Sequence, residues 1–396
     1  MEAARPNPGS WADRVRLAWR RSGLREVLPI YLTVRIILSL WMFLVRQIFS
    51  QPIQPDPVAR PYLGVAVETN AWLEPWQRWD TLHYQAIAER GYAAFDSALF
   101  VPPLYPGLIR LTSALTGTNS LLSGLIVANG AALAGMAAFY ALARTETSDL
   151  AWAKRSVLYL SVFPTGFFWF AAYTESLLLL FSSVALLAAH RSRWLISGLA
   201  AGLAALSRLA GALMIVPLGV SAWLAVRKER SWRPVLAGAG ALIGALAFPL
   251  YVWLGMRLSP LTPVEMQVAR AQGGLAFPGV NLASAVLRLA GGEANFADVF
   301  DLALLLLFIG LAVPVWRQLS RALGLFYFAF LLLYLSRVAG IAPLLGTARY
   351  VLVLFPAHLV LAGWGRRAWI HRLIVYLSAT GLLLLSGQFA IWGWVG

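Results

Sequence analysis

Long runs of apolar residues alternate with short polar segments along almost the whole chain. Runs long enough to cross a bilayer begin near residues 28, 119, 156, 173, 195, 209, 234, 300, 322, 349 and 372. Because a transmembrane helix needs roughly 20 mostly apolar residues, each run predicts one crossing. The pattern predicts an all-α, polytopic integral membrane protein with about 11 transmembrane helices, forming a single domain over residues 1–396.

Composition agrees with this prediction. The chain is 60% hydrophobic and 12% charged, and its mean hydropathy is +0.70. Soluble domains carry about 25% charged residues, so the sequence leaves no room for a separate soluble domain. The chain has no cysteine, which excludes disulfides, thiolate nucleophiles and cysteine-ligated metals.

Basic residues fall mainly on one side of the predicted membrane. With the N-terminus inside, the inner segments hold 20 of the 32 lysines and arginines, the outer segments hold 10, and two lie within the first crossing. Lysine and arginine are retained on the cytoplasmic side, so this asymmetry supports the orientation. Since topology accounts for the net charge of +15, nucleic acid is excluded as a partner.

Three long segments lie outside the predicted crossings. Residues 1–27 are a basic cytoplasmic N-terminus without a cleavable signal. Residues 50–118 and 258–299 are extracytoplasmic loops, and the first is rich in acidic and aromatic residues. Transporters usually have short loops and a midplane site between broken helices. The loops therefore favour a membrane enzyme that works at the interface.

The densest polar stretch lies in the first loop, at residues 78–92. It predicts a helix that starts at Asp80 and ends at Gly91, a residue type typical just after a helix. At helical spacing Asp80, His83 and Tyr84 share one face, and Asp80 becomes a candidate base. Two simpler interpretations stay open: Asp80 could only cap the helix, and His83 could only be an interfacial polar side chain.

Further candidates lie at the outer ends of predicted crossings, where polar residues are costly and often functional. Glu175 begins one crossing, where the helix dipole favours a carboxylate, although simple capping would place it there too. Arg208, Arg337 and Arg349 lie at the same face, and each alone could be a snorkelling anchor. Three prolines in residues 102–106 predict that residues 100–116 lie along the membrane surface rather than crossing it.

Together these motifs resemble the GPI mannosyltransferase 2 (PIG-V-like) family. The resemblance covers residues 78–356 and rests on motifs in matching order: Trp79-Asp80 with His83-Tyr84 and Gly91-Tyr92, Pro-Leu-Tyr-Pro at 103–106, Tyr173-Thr174-Glu175-Ser176, Arg208 with Gly211, and Arg349-Tyr350. It implies a GT-C-type membrane glycosyltransferase with a large first extracytoplasmic loop that contains interfacial helices. In such enzymes an aspartate early in that loop is the catalytic base, a position that Asp80 occupies here.

The resemblance and the chemistry together assign expected roles. Sugar transfer from a lipid phosphate needs a base for the acceptor hydroxyl and cations for the leaving phosphate. Asp80 is the expected base of an inverting transfer. The residues expected to bind substrate are Trp79, His83, Tyr84, Tyr92, Tyr105, Tyr173, Glu175 and Ser176. The residues expected to bind the donor phosphate are Arg208, Arg349 and Arg337.

The predicted sugar donor is a polyprenyl phosphate that carries a sugar, most simply mannose. The predicted acceptor is a glycolipid, a polysaccharide or a protein, and the third predicted partner is the lipid bilayer. The spacing of Asp80, His83 and Glu175 is no metal signature, so no cofactor is predicted, although the three could share a divalent ion. The expected location is a bacterial plasma membrane with an extracytoplasmic site. Two alternatives stay open: a transporter or flippase of polyprenyl-linked sugars, and a non-catalytic lipid-binding subunit of an envelope complex.

Overall fold

The computed structural model describes residues 23–49, 54–56, 59–95, 98, 101–229, 232–238, 246, 253, 265, 273–340 and 342–395. This part of the chain is mostly helical, as predicted. Its α-helices of five or more residues with defined bounds are α1 (Leu24–Ile48), α2 (Asp80–Arg90), α3 (Leu104–Thr116), α4 (Ser120–Glu146), α5 (Leu150–Val162), α6 (Glu175–His190), α7 (Trp194–Ser207), α8 (Ile215–Glu229), α9 (Val280–Ala290), α10 (Phe296–Gln318), α11 (Arg321–Ser336), α12 (Thr347–Val351), α13 (Pro356–Trp364) and α14 (Ala368–Ala390). A 3-10 helix, Leu209–Met214, leads directly into α8.

The all-α prediction needs one small correction. Gly274–Leu275 (β1) pairs antiparallel with Arg337–Val338 (β2), with Gly274 opposite Val338. Gly273, just before β1, has φ +65°, and a Cβ there would lie 1.8 Å from the Val338 carbonyl oxygen. A glycine is therefore needed where the backbone approaches β2 this closely.

Five helices in the described part of the chain are long and apolar enough to span a membrane: Leu24–Ile48, Ser120–Glu146, Leu209–Lys228, Phe296–Gln318 and Ala368–Ala390. Shorter apolar helices are Glu175–His190, Trp194–Ser207, Val280–Ala290 and Arg321–Ser336. A multi-pass membrane protein is therefore supported, whereas the count of about 11 crossings stays a prediction. The predicted N-terminal segment up to residue 22, most of the crossing from 234 and the loop before residue 273 lie outside the described residues.

Helix α4 lies at the centre of the bundle, against α3, α5 and α6. Small residues allow this close approach: a Cβ on Gly135 would lie 3.0 Å from the Leu180 backbone nitrogen. Close backbone packing through small residues is typical of helices in membranes. The arrangement brings the start of α6 near the first loop, whose short helices α2 and α3 pack against each other and against α4.

Candidate active site

Asp80 is the first residue of α2, and the helix ends at Arg90 with Gly91 as its C-cap, as predicted. The N-cap is Trp79, with φ 50°, so Asp80 does not occupy the capping position. Instead, its Oδ2 atom lies 2.5 Å from Nη1 of Arg349. The side chain keeps 21% of its surface exposed, so the carboxylate is both ion-paired and reachable from outside the protein.

Arg349 joins Asp80 to a second carboxylate. Its Nε atom donates to Oε1 of Glu175, and Arg208 donates to the same oxygen through Nη1. Glu175 is fully buried at the start of α6. The four side chains alternate in charge and sum to zero, which is how ionised groups become tolerable away from water. Four segments far apart in the sequence thus meet at one cluster, the ion cluster of Asp80, Glu175, Arg208 and Arg349.

One atom of the ion cluster is incompletely bonded. The Oε2 atom of Glu175 is buried and has no hydrogen-bond partner among the described residues. Buried polar atoms normally have a partner from the protein or from bound water. Glu175 therefore retains capacity to accept a hydrogen bond from a hydroxyl group.

The backbone before Arg349 is clamped on both sides. The Ala348 N–H donates to Oδ1 of Asp301 at 2.7 Å, and the Ala348 carbonyl accepts from the Thr165 hydroxyl at 2.8 Å. Asp301 and Thr165 are buried and belong to different parts of the chain. Together they fix the position of α12 and therefore of the Arg349 side chain.

Aromatic rings surround both arginines. The Arg349 guanidinium lies 4.4 Å from the ring centroid of Tyr173 and 5.2 Å from that of Phe168. Arg208 lies 5.3 Å from the Tyr350 centroid, and Arg337 lies 4.2 Å from the same ring. A guanidinium over an aromatic face gains electrostatic attraction while staying planar and available for hydrogen bonds.

Tyr173 also positions the start of α2. Its hydroxyl oxygen accepts the Asp80 backbone N–H at 3.2 Å, and its O–H donates to the Arg78 carbonyl at 3.4 Å. The neighbouring Tyr84 packs edge-on against Tyr105 and Tyr173, with centroid distances of 5.0 and 6.1 Å. Burial, helped by the Asp80 charge, raises the pKa of Tyr84 to about 12, so this phenol stays protonated at neutral pH.

The structure disperses several other residues that the sequence groups together. His83 packs against Phe95 at a centroid distance of 5.3 Å, away from the Tyr84 contacts. Tyr92 donates to the Val101 carbonyl at 3.1 Å, and fully buried Tyr105 donates to the Gly124 carbonyl at 3.0 Å. A substrate-binding role for these residues therefore stays a prediction, and the contacts of Tyr105 are those of a packing residue.

The remaining predicted residues lie nearer the ion cluster. The Ser176 hydroxyl is buried beside Glu175 and has no hydrogen-bond partner among the described residues. Arg337 donates to the Leu345 carbonyl at 2.9 Å and lines a crevice with Tyr334, Thr347 and Tyr350. Because Tyr350 also contacts Arg208, this crevice adjoins the ion cluster.

A second buried network was not predicted. Arg78 is 1% exposed, and its Nη2 atom lies 2.5 Å from Oε1 of Glu74 and 2.7 Å from the Ala390 carbonyl oxygen. Arg46 of α1 binds the other oxygen of Glu74 at 3.1 Å. The network fastens the first loop to α1 and to the end of α14. Residue type alone carried no signal for it, because Glu74 and Arg78 resemble ordinary loop charges in the sequence.

Within the described ranges, His, Asp and Glu side chains nowhere form a group of three or more that could hold a metal ion. Asp80 and Glu175 are linked through Arg349 rather than side by side. A divalent ion shared by Asp80, His83 and Glu175 stays a prediction.

Comparison with known families gives one partial match. Residues 101–253 match the model of the family described as dolichyl-phosphate-mannose-protein mannosyltransferase. The matched segment is less than half of the chain, and it includes Glu175 and Arg208 but not Asp80 or Arg349. It is a different family from the GPI mannosyltransferase 2 family that the motifs resemble, so that finer assignment stays a prediction. No curated protein matches the chain.

Comparison with solved structures finds an archaeal oligosaccharyltransferase. The Archaeoglobus fulgidus enzyme in complex with zinc and sulfate is 14% identical, with a TM-score of 0.41, covering 91% of this chain and 53% of that one. The same organism's oligosaccharyltransferase AglB, in complex with an inhibitory peptide and a dolichol-phosphate, is 14% identical, with a TM-score of 0.40, covering 92% and 56%. The chain spans about half the length of these enzymes.

Proposed function

We propose that this protein is an inverting glycosyltransferase that moves a sugar, most simply mannose, from a polyprenyl-phosphate donor to an acceptor hydroxyl at the extracytoplasmic membrane face. The observation that carries the proposal is the ion cluster. It joins a partly exposed carboxylate at the start of α2 to a buried glutamate and to two arginines, one directly after α7 and one within α12. The partial match to the mannosyltransferase family model and the motif resemblance agree with this chemistry.

In the proposed reaction Asp80 accepts the proton of the acceptor hydroxyl. The hydroxyl oxygen attacks the anomeric carbon from the side opposite the phosphate, and the bond between that carbon and the phosphate oxygen breaks. The polyprenyl phosphate leaves with a second negative charge. Fixed cations stabilise this developing charge more than the charge of the bound donor, and this difference lowers the barrier.

Arg349 couples the two halves of this reaction. Its Nη1 atom binds Asp80, so a donor phosphate that approaches this guanidinium competes with the carboxylate for it. A carboxylate that loses a cationic partner becomes more basic. Donor binding would therefore free and activate the base, while Arg208 and Arg337 supply further positive charge beside Tyr350.

Purified full-length protein in liposomes with radiolabelled polyprenyl-phosphate mannose tests this proposal. We expect transfer of label to a glycan, lipid or peptide acceptor, with inverted anomeric configuration in the product. Movement of intact donor between leaflets without transfer would contradict the proposal and support a flippase. Binding of donor with neither outcome would support a non-catalytic lipid-binding subunit.

A further inference from the structure

Three tryptophans lie together immediately beside Asp80. The ring of Trp79 meets that of Trp392 at a centroid distance of 5.7 Å and that of Trp394 at 4.9 Å, both edge-on. The Trp79 indole N–H donates to the Gly393 carbonyl at 3.3 Å. Trp79 directly precedes Asp80 in the chain, so this tryptophan patch of Trp79, Trp392 and Trp394 adjoins the proposed base.

Backbone strain is concentrated at the tryptophan patch. Four non-glycine residues in the described part of the chain have positive φ, and two of them are Trp79 (50°) and Trp392 (66°). A third, Leu63, adjoins Tyr62, whose ring meets Trp392 edge-on at 5.3 Å. Large side chains rarely adopt this conformation, and such strain gathers at ligand-binding sites where surrounding contacts enforce it.

The contacts that enforce this geometry are specific. The buried Arg78 guanidinium lies 4.7 Å from the Trp392 ring centroid and binds the Ala390 carbonyl. Gln388 donates to the Trp394 carbonyl at 3.0 Å. A Cβ on Gly393 would lie 2.8 Å from the Gln388 carbonyl oxygen and 2.2 Å from Cγ of the same residue, so a larger residue would force this turn between the two tryptophans to shift.

Two buried polar groups at the tryptophan patch have no hydrogen-bond partner within the part of the chain that the structure describes. They are the Trp392 indole nitrogen and the Tyr62 hydroxyl. Buried donors of this kind are usually satisfied. A hydroxyl-rich ligand offers them partners, whereas a lipid acyl chain does not.

We propose that the tryptophan patch is a carbohydrate-binding subsite that holds a pyranose ring of the acceptor beside Asp80. Pyranose rings present apolar C–H faces that pack on indole, with hydroxyls at the rim for the N–H and O–H groups. Trp394 is 38% exposed and supplies the accessible face. This inference rests on the proposed function and narrows its acceptor to a glycan or glycolipid rather than a peptide.

A membrane anchor is the competing explanation, and the chain supplies a matched control for it. Trp72 also lies in the first loop, is 48% exposed and stacks on Phe43 of α1 at 4.1 Å. It is at least as exposed as Trp394, but among the described residues Trp72 has neither a positive φ nor a buried, unpartnered indole nitrogen, whereas Trp392 has both. An interfacial anchor would behave alike at both positions.

Saturation-transfer NMR on the full-length protein in lipid nanodiscs, without donor, tests the subsite. The probes are methyl α-mannopyranoside, a linear α-linked mannobiose and a serine-containing peptide. We expect saturation transfer to the ring protons of both sugars. Trp394→Ala should lower the affinity for the sugars about tenfold, as for an aromatic anchor of a binding site, and Trp394→Phe should lower it less. We expect Trp72→Ala to leave affinity unchanged.

Each other outcome overturns the subsite. Absence of sugar binding, equal loss in Trp72→Ala, or a peptide signal that depends on Trp394 would each exclude it. Failure of the proposed function can be told apart from failure of the subsite. Asp80→Asn removes the proposed base but keeps the tryptophan patch, so this variant should still bind the sugars. Sugar binding without transfer from any donor would contradict only the reaction, and transfer without sugar binding at Trp394 would contradict only the subsite.

Discussion

Asp301 offers a sharp test of how the active site is held. This buried aspartate of α10 accepts the Ala348 N–H at 2.7 Å and contacts no atom of the proposed reaction directly. Replacement by alanine removes the acceptor and leaves the N–H buried without it. Replacement by asparagine keeps an oxygen that can accept the same hydrogen bond.

The size of the effect follows from this geometry. An unsatisfied buried donor costs about 1–3 kcal/mol of stability, so the protein should still fold. Ala348 would keep the bond from the Thr165 hydroxyl but lose the bond that ties its N–H to α10, and α12 would be free to shift. Because a displacement of about 1 Å in a positioned group can cost around a hundredfold in rate, we expect Asp301→Ala to lower kcat by roughly 10- to 100-fold.

Steady-state kinetics with polyprenyl-phosphate mannose would measure kcat and the acceptor KM of each variant, and thermal unfolding would measure its stability. We expect Asp301→Asn to recover most of kcat, and the acceptor KM to stay near that of the unchanged protein in both variants. The control is Asp298→Ala, one turn earlier, which breaks the capping box of α10 and should cost about 1 kcal/mol of stability with normal kcat. If Asp301→Ala merely lowers stability as Asp298→Ala does, the clamp does not position Arg349.

Three further predictions concern charge and topology. Arg349→Lys should lower kcat by about tenfold or more and lower donor affinity less, because lysine lacks the planar fork that binds two partners. Arg288→Lys, in the second predicted outer loop, is the control and should leave kcat and donor affinity unchanged. Equal losses in both variants would identify Arg349 as a membrane anchor only. Glu175→Gln leaves the buried Arg349 and the partly buried Arg208 without their shared anion, so the stability should fall by about 3–5 kcal/mol. An unchanged melting temperature would refute the ion cluster. A cysteine that replaces Thr69, which is exposed, should react with an impermeant maleimide on intact cells. A cysteine that replaces Lys228, also exposed, should react only after permeabilisation. Identical labelling at both positions would refute the topology.

Local patterns predicted those features that depend on neighbouring residues. The bounds of α2 follow from a glycine after the last turn, and they match the structure at Asp80 and Gly91. Grouping Glu175, Arg208 and Arg349 at one membrane face followed from their places at the ends of apolar runs, and the structure brings them into contact. Neither result needed knowledge of the packing between helices.

Features that depend on packing could not be predicted. His83 and Tyr84 were placed on one face by helical spacing, yet His83 packs on Phe95 and Tyr84 on Tyr105. Asp301 is a lone acid within an apolar run, and nothing in its neighbourhood relates it to the residue before Arg349. The strand pair of Arg337 with Leu275 is too short to leave a pattern of alternating residues.

The most direct test of Asp80 as the catalytic base is the single-turnover rate of sugar transfer by Asp80→Asn, measured with donor bound at saturation. Asparagine keeps the size of the side chain but cannot take up the acceptor proton. We expect transfer to fall by at least about a hundredfold, while thermal stability stays close to that of the unchanged protein. Donor binding should be equal or tighter, because the charged carboxylate no longer competes with the phosphate for Arg349. Transfer at a near-normal rate would contradict the assignment of Asp80 as the base and would place the proton acceptor elsewhere, with Glu175 the next residue to replace.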